Sequence, residues 1–201
     1  TLIFGQAIDR TLYPERFIVG CSEPAENLPE AYERYLLSYG CPVLQMKYES
    51  AELAKISINM FLVSSVVTTN TLAELCESIG ADWSEIVPAL RIDRRIGSFA
   101  YISPGLGIAG GNLERDLTTF SNYANQYNTD SLIVDAWKKN SDLRKNWIWK
   151  IYTKLSLYNN ESIRIGLLGL SYKENTNSIK NSAAIEDRKS TRLNSSHEWI
   201  S

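Results

Sequence analysis

Two side chains four positions apart open the chemical reading: Lys55 and Asn59, in the run Ser50-Ala-Glu-Leu-Ala-Lys55-Ile-Ser-Ile-Asn59. On a helix that spacing puts both on one face, a turn apart. An ammonium and a carboxamide aimed into one cleft can hold an oxyanion and a water. The commoner role of such a pair is a solvated helix face. Here Asn59 stands among Ile56, Ile58, Met60, Phe61 and Leu62. A buried amide needs hydrogen-bond partners, so an amide in that company has a purpose.

The second feature is Pro104-Gly-Leu-Gly-Ile-Ala-Gly-Gly-Asn-Leu-Glu-Arg-Asp116, which contains Gly-x-Gly-x-x-Gly at Gly105, Gly107 and Gly110. A dinucleotide fingerprint requires a strand just before the glycines and a helix opening on them. Residues 93–103 read as loop, so the fingerprint is rejected. The glycines instead let the backbone approach a ligand closely. The single histidine, His197, lies near the end of the chain, which leaves no histidine elsewhere for a nucleophile–histidine pair or a metal site. Cys21, Cys41 and Cys76 are far apart with no Cys-x-x-Cys spacing, and each reads as a small packed hydrophobe with a reduced thiol.

The elements that must position these residues follow from periodicity. Residues 17–20 and 41–44 are short strand candidates around a helix over 29–39, the end of an α/β unit. A long helix follows, with Ser50 as N-cap, an apolar pattern through 53–75 and Gly80 as its stop. About thirty residues is long for a globular helix and suits a domain bridge or a dimer interface. Asp82 caps a helix to about residue 90. A Gly-, Ser- and Pro-rich loop covers 93–112, and helices cover 113–127 and 131–157. The second of these carries Trp137, Trp147 and Trp149, whose expected role is packing. Residues 163–170 read as a buried strand opening a second α/β domain.

The chain has 201 residues, a net charge of -2 and 44% hydrophobic residues, ordinary for a globular protein and giving no reason to expect nucleic acid or an anionic membrane as partner. No apolar run is expected to span a bilayer, since residues 56–67 are interrupted by Ser57, Asn59, Ser64 and Ser65. A cytoplasmic protein is expected. The start at Thr1 reads as a missing N-terminus without a signal peptide. Residues 187–201 read as a non-native tail, since 187–197 look like a translated sequencing adapter.

Taken together, Ser50-Ala-Glu52, Lys55, Asn59, Arg95-Ile-Gly97, Pro104-Gly105, Gly110 and Asp116 resemble the UDP-glucose/GDP-mannose dehydrogenase family, with its SAE-x-x-K-x-x-x-N helix, RIG turn and PGxGxGGSC-x-x-KD segment. Tyr13-Pro-Glu-Arg16 before Ile18-Val-Gly20 is similar to its YPDR-x-V-x-G, and Gly169-Leu-Ser-Tyr-Lys173-Glu-Asn-Thr176 to its GLxYKxxT. The resemblance covers nearly all of residues 1–186. It implies an α/β protein with a 6-phosphogluconate-dehydrogenase-like all-α middle domain built on a long central helix and flanked by partial Rossmann-like segments. The expected boundaries are 1–48 for the tail of the NAD-binding domain, 49–158 for the dimerising helical domain and 159–186 for the start of the UDP-binding domain.

The resemblance also implies chemistry. The family oxidises the sugar's primary alcohol twice with NAD, through a cysteine thioester that water hydrolyses. By that pattern Lys55 stabilises oxyanions, and Asn59 and Asp116 handle water. Arg95 reaches the substrate of a neighbouring subunit in a homodimer. Tyr101 and Gly105 belong to the substrate-cradling loop, and Lys173 contacts the nucleotide sugar. Arg115 and Lys180 contact NAD, with Arg for the usual Lys and Lys for the usual Arg.

The cysteine column of that pattern falls on Asn112, and an amide is no nucleophile. Glu114 replaces the usual proline, and an upstream family glutamate falls on Phe4. The implied activity is therefore an NAD-dependent, UDP-glucose 6-dehydrogenase-like oxidation that stops after one step. Two other readings stand beside it: a nucleotide-sugar-binding paralogue without turnover, and a dimerisation scaffold. Because these 201 residues carry no dinucleotide fingerprint, they are expected to form no NADH from NAD and UDP-glucose on their own. A spectrophotometric assay that found NADH would refute this.

Overall fold

The computed structural model describes residues 7–155, 169–171, 177, 179, 181, 182, 184 and 185. The chain divides into two compact units, Thr1–Ile58 and Asn59–Ser201.

In the first unit, α1 (Ala7–Leu12) precedes β1 (Phe17–Cys21), α2 (Glu30–Leu37) and β2 (Val43–Lys47). The strands pair in parallel, Phe17 opposite Val43 through Cys21 opposite Lys47. Parallel strands need a crossover, and α2 supplies it. It closes on the apolar side through Leu36, which is buried, and on the outside through an Arg34–Glu30 pair at 2.9 Å. The second strand starts two residues later than expected. Pro42 has no N–H to give a ladder, and only its carbonyl takes part, accepting from Phe17 N–H at 2.8 Å.

α3 (Tyr48–Ile79) begins directly after β2, so Ser50 lies inside its first turn and does not cap it. A side chain added at Gly20 would lie 3.2 Å from both Ala51 and Tyr48, which is why strand and helix start can pack so closely. The helix stops as expected at Gly80, at φ +78, with Ala81 N–H returning to the Cys76 carbonyl at 3.0 Å.

The second unit contains the rest of α3 with α4 (Trp83–Ile92), α5 (Gly111–Gln126), α6 (Leu132–Lys145) and α7 (Trp147–Lys154). Asp82 caps α4 by accepting from Ser84 N–H at 2.7 Å, and hydrogen bonding from the Ser84 side chain and then its backbone holds the Asp82 carboxyl below the usual range. α5 begins two residues earlier than its apolar pattern suggests, and this brings Asn112 into the first helical turn. The expected single helix over 131–157 is two helices. Asn146 breaks it, its backbone turned to ψ 6 and its side chain bonded to the Asp142 carbonyl at 3.4 Å.

Two apolar clusters form the core. Val63 and Val67 of α3 meet Ile108, Leu117 of α5 and Val134 of α6, flanked by Met60, Leu113, Phe120 and Trp137. Further along α3, Ala73 and Cys76 meet Trp83 and Ile102. Trp137 thus packs as expected, while Trp149 is half exposed and stacks on Tyr152. Cys76 is the packed hydrophobe expected of it; Cys21 and Cys41 are half-buried free thiols.

By length and composition alone α3 is able to cross a membrane, contrary to the expectation that no run would. A domain's core helix has the same composition. Here Asn59, Thr69, Asn70, Glu74 and Glu77 all bond to other elements of the second unit, which makes α3 its central strut. The expected strand over 163–170 lies almost wholly outside the described residues, and the tail over 187–201 entirely so.

Candidate active site

The second unit brings Asn59 and Asp116 together. Asn59 Nδ2 donates to Asp116 Oδ2 at 2.5 Å, linking α3 to α5. Asp116 is 5% exposed, and a carboxylate so placed persists only with partners. Its other oxygen faces Arg115, whose Nε and Nη2 lie at 3.4 Å. Because Asn59 gives its N–H to the carboxylate, its carbonyl oxygen is the atom turned to other company. An acceptor on Asn59 and a carboxylate on Asp116 can together orient and deprotonate a water.

Asn112 is exposed, in the first turn of α5, one turn before Asp116 on the same face. The N-cap is Gly110, at φ +82, and among the described residues no side chain caps the helix there. The N–H groups of a first helical turn favour negative charge. A thiol at position 112 would be acidified by this end of the helix. A carboxamide gains nothing of the kind. Lys55, half-buried, lies one turn before Asn59 on α3.

The glycine loop is fixed from inside by side chains that the sequence reading does not single out. Trp83 Nε1 donates to the Ile102 carbonyl at 2.9 Å and Thr69 Oγ1 to the Tyr101 carbonyl at 3.2 Å. Gly105 N–H donates to Asn70 Oδ1 at 2.7 Å, and Arg144 Nε donates to the Gly105 carbonyl at 2.9 Å. Ile108 N–H donates to Ser141 Oγ at 2.7 Å. One signal for this was present: Asn70 is a second amide on α3, three turns beyond Asn59 on the same face. Nothing local marks Ser141 or Arg144.

The remaining site candidates are dispersed. The Tyr101 ring is exposed while its carbonyl is tied down. Arg95 is folded onto its own Asp93 through Nε at 3.0 Å and Nη2 at 2.6 Å. The guanidinium holds the Asp93 carboxyl below its usual range, so this turn is secured at neutral pH and released as acid protonates Asp93. Glu114 meets Lys145 at 3.7 Å and accepts from Asn181 Nδ2. Lys173 and Lys180 lie outside the described residues.

Residues 49–142 match the family model of the UDP-glucose/GDP-mannose dehydrogenase family, central domain. UDP-glucose 6-dehydrogenase of Rickettsia typhi is 32% identical over 184 residues, which cover 90% of this chain and 42% of that protein. Residues 49–142 thus carry the central domain of the UDP-glucose/GDP-mannose dehydrogenase family. UDP-glucose 6-dehydrogenase TuaD of Bacillus subtilis is 27% identical over 183 residues, 90% of this chain and 39% of that one. A UDP-glucose dehydrogenase structure from Pyrobaculum islandicum shares the fold, with a TM-score of 0.80 at 24% identity over 96% of this chain and 44% of that chain. The chain thus spans about two-fifths of its curated relatives, 42% in the Rickettsia case.

Within this family pattern two glycines of the loop have different reasons to be glycine. Gly107 has φ +91, and a β-carbon there would fall 2.8 Å from the Ser141 carbonyl oxygen. Gly105 has neither constraint: its φ is ordinary and a β-carbon would meet nothing within 4 Å among the described residues. Gly107→Ala is therefore expected to cost at least about 1–2 kcal/mol, and Gly105→Ala to stay within about 0.5 kcal/mol. Urea denaturation of the chain checks both, and equal losses would contradict the distinction.

Proposed function

We propose that the full-length protein is an NAD-dependent nucleotide-sugar dehydrogenase, UDP-glucose 6-dehydrogenase-like, that oxidises the sugar's primary alcohol once and releases the aldehyde. The observation that carries this reading is the buried Asn59–Asp116 pair at 2.5 Å, one helical turn from Asn112. The pair keeps the means to place and activate water, and Asn112 lacks the nucleophile that a covalent second oxidation requires. Lys55, one turn from Asn59, supports charge on the sugar oxygen as the alcohol passes its proton to the water held by Asn59 and Asp116. The cradle is the loop bearing Tyr101 and Gly105, and the bare outer face of Gly105 suits close approach of a sugar.

NAD supplies the hydride acceptor. Arg115 is the described residue that would contact it, and its side chain, 63% exposed beside Asp116, fits an anionic ligand group. Lys180 and, toward the nucleotide sugar, Lys173 complete the set by the family pattern. A homodimer through α3 fits the reading. Phe61, Leu72, Leu75 and Ile79 form one exposed apolar stripe along that helix. Arg95 would serve a neighbouring subunit by exchanging Asp93 for substrate. Free thiols at Cys21, Cys41 and Cys76 suit a cytoplasmic protein.

The test is stoichiometric. Full-length protein with NAD and UDP-glucose is expected to form one NADH per sugar consumed, and Asn112→Cys to raise the ratio toward two. Two NADH per sugar from the unsubstituted protein would overturn the single-oxidation reading. Nucleotide-sugar binding with no NADH would favour a non-catalytic paralogue.

A further inference from the structure

Gly105 is exposed, yet both of its backbone polar groups point into the protein. Its N–H goes to Asn70 Oδ1 at 2.7 Å and its carbonyl receives Arg144 Nε at 2.9 Å. The loop that contains it has no regular secondary structure to hold such groups. What remains on the outer side is the Cα face, with open space beyond it among the described residues. Two side chains of distant origin, one on α3 and one on α6, therefore determine which surface of this residue meets a ligand.

The cost of both side chains indicates a purpose beyond packing. Asn70 is 1% exposed on α3, at a buried position where a leucine would leave no amide to satisfy. Arg144 is 5% exposed, and burying a guanidinium is expensive. Its charge is met by Glu74 at 3.8 Å and Glu77 at 3.7 Å, and its face lies over Trp147 at 5.2 Å. Those two glutamates are themselves more than a third exposed, so ion pairing with them does not require the arginine to be buried. Nη1 is buried without a hydrogen bond among the described residues. A group tolerated in that state is placed for what Nε does at Gly105, since stability alone would select against it.

We propose that Asn70 and Arg144 are positioning residues that grip Gly105 by its two backbone polar groups and preset the bare Cα face of the loop for a nucleotide sugar. The ligand part of this proposal rests on the function proposed above; the grip itself does not. Ser141 acts separately, on Ile108 N–H, and so supplies an internal control in the same loop.

Residue-resolved hydrogen exchange on the full chain, followed by NMR, tests the grip. In the unsubstituted protein the Gly105 amide is expected to be protected although it lies in an exposed loop. Asn70→Ala should speed its exchange about tenfold or more while leaving Ile108 unchanged. Asn70→Asp, which keeps the acceptor, should restore protection. Ser141→Ala should do the reverse, releasing Ile108 and sparing Gly105. A Gly105 amide exchanging at the open-loop rate in the unsubstituted protein would overturn the proposal, and that result needs no variant to fold. So would equal acceleration of both amides by Asn70→Ala in step with a fall in Tm, the mark of a purely structural role.

UDP-glucose titration of the full-length protein tests the consequence. Asn70→Ala and Arg144→Met should each weaken binding about tenfold. Unchanged affinity with Gly105 released would overturn the positioning role. No UDP-glucose binding by the unsubstituted protein, with Gly105 protected as described, would overturn the functional reading alone.

Discussion

A buried carboxylate is the constraint around which the helical unit is arranged. Asp116 is nearly solvent-free, and Asn59 at 2.5 Å and Arg115 at 3.4 Å are among the partners that hold its carboxylate beside the main core. The Asn59 bond fixes the register between α3 and α5. With it set, Val63 and Val67 on one helix meet Leu117 on the other, and Ile108 and Val134 close the cluster. An apolar pair at positions 59 and 116 would give an equally good core. On the proposed function the polar pair is retained because it can act on water, and the hydrophobic cluster next to it supplies stability.

The same helix face then carries the loop. Continuing along α3 from Asn59, Thr69 and Asn70 turn toward the residues that follow α4 and take hold of Tyr101 and Gly105. α6 closes from another direction with Ser141 and Arg144. An irregular segment rich in glycine has no ladder of its own, so its shape is borrowed from side chains on rigid helices. This places the water-handling pair, the glycine loop and the first turn of α5 on a common framework. The identity of residue 112 then decides whether that turn presents a nucleophile or only an amide.

Much of this was legible in the residues, and the limits have physical causes. The βαβ unit, the length of α3 and its stop at Gly80 follow from periodicity and glycine chemistry, which are local. Asn59 and Asp116 were identified as partners through the family resemblance; the hydrogen bond between them spans 57 positions and no local pattern encodes it. Ser50 reads as a cap because the sequence does not reveal that β2 passes into the helix without a loop. The break at Asn146 is hidden because an asparagine in an otherwise helical pattern is tolerated as often as it interrupts. Arg95 reads as a residue reaching outward, and a neighbouring Asp93 captures it through two contacts. Ser141 and Arg144 are ordinary helix residues until the loop is seen to lie against them.

On the proposed function, Asn59 and Asp116 are kept as a pair for chemistry and not for folding. The most direct measurement is Asp116→Asn in the full-length protein, with kcat for NADH formation and the urea midpoint determined on the same preparations. The expected result is a fall in kcat of about 10²–10⁴-fold, the range for loss of a general base, with the midpoint nearly unchanged because an amide of the same shape still fits against Asn59. Activity retained within a few-fold, or lost only in proportion to a collapsed midpoint, would contradict it.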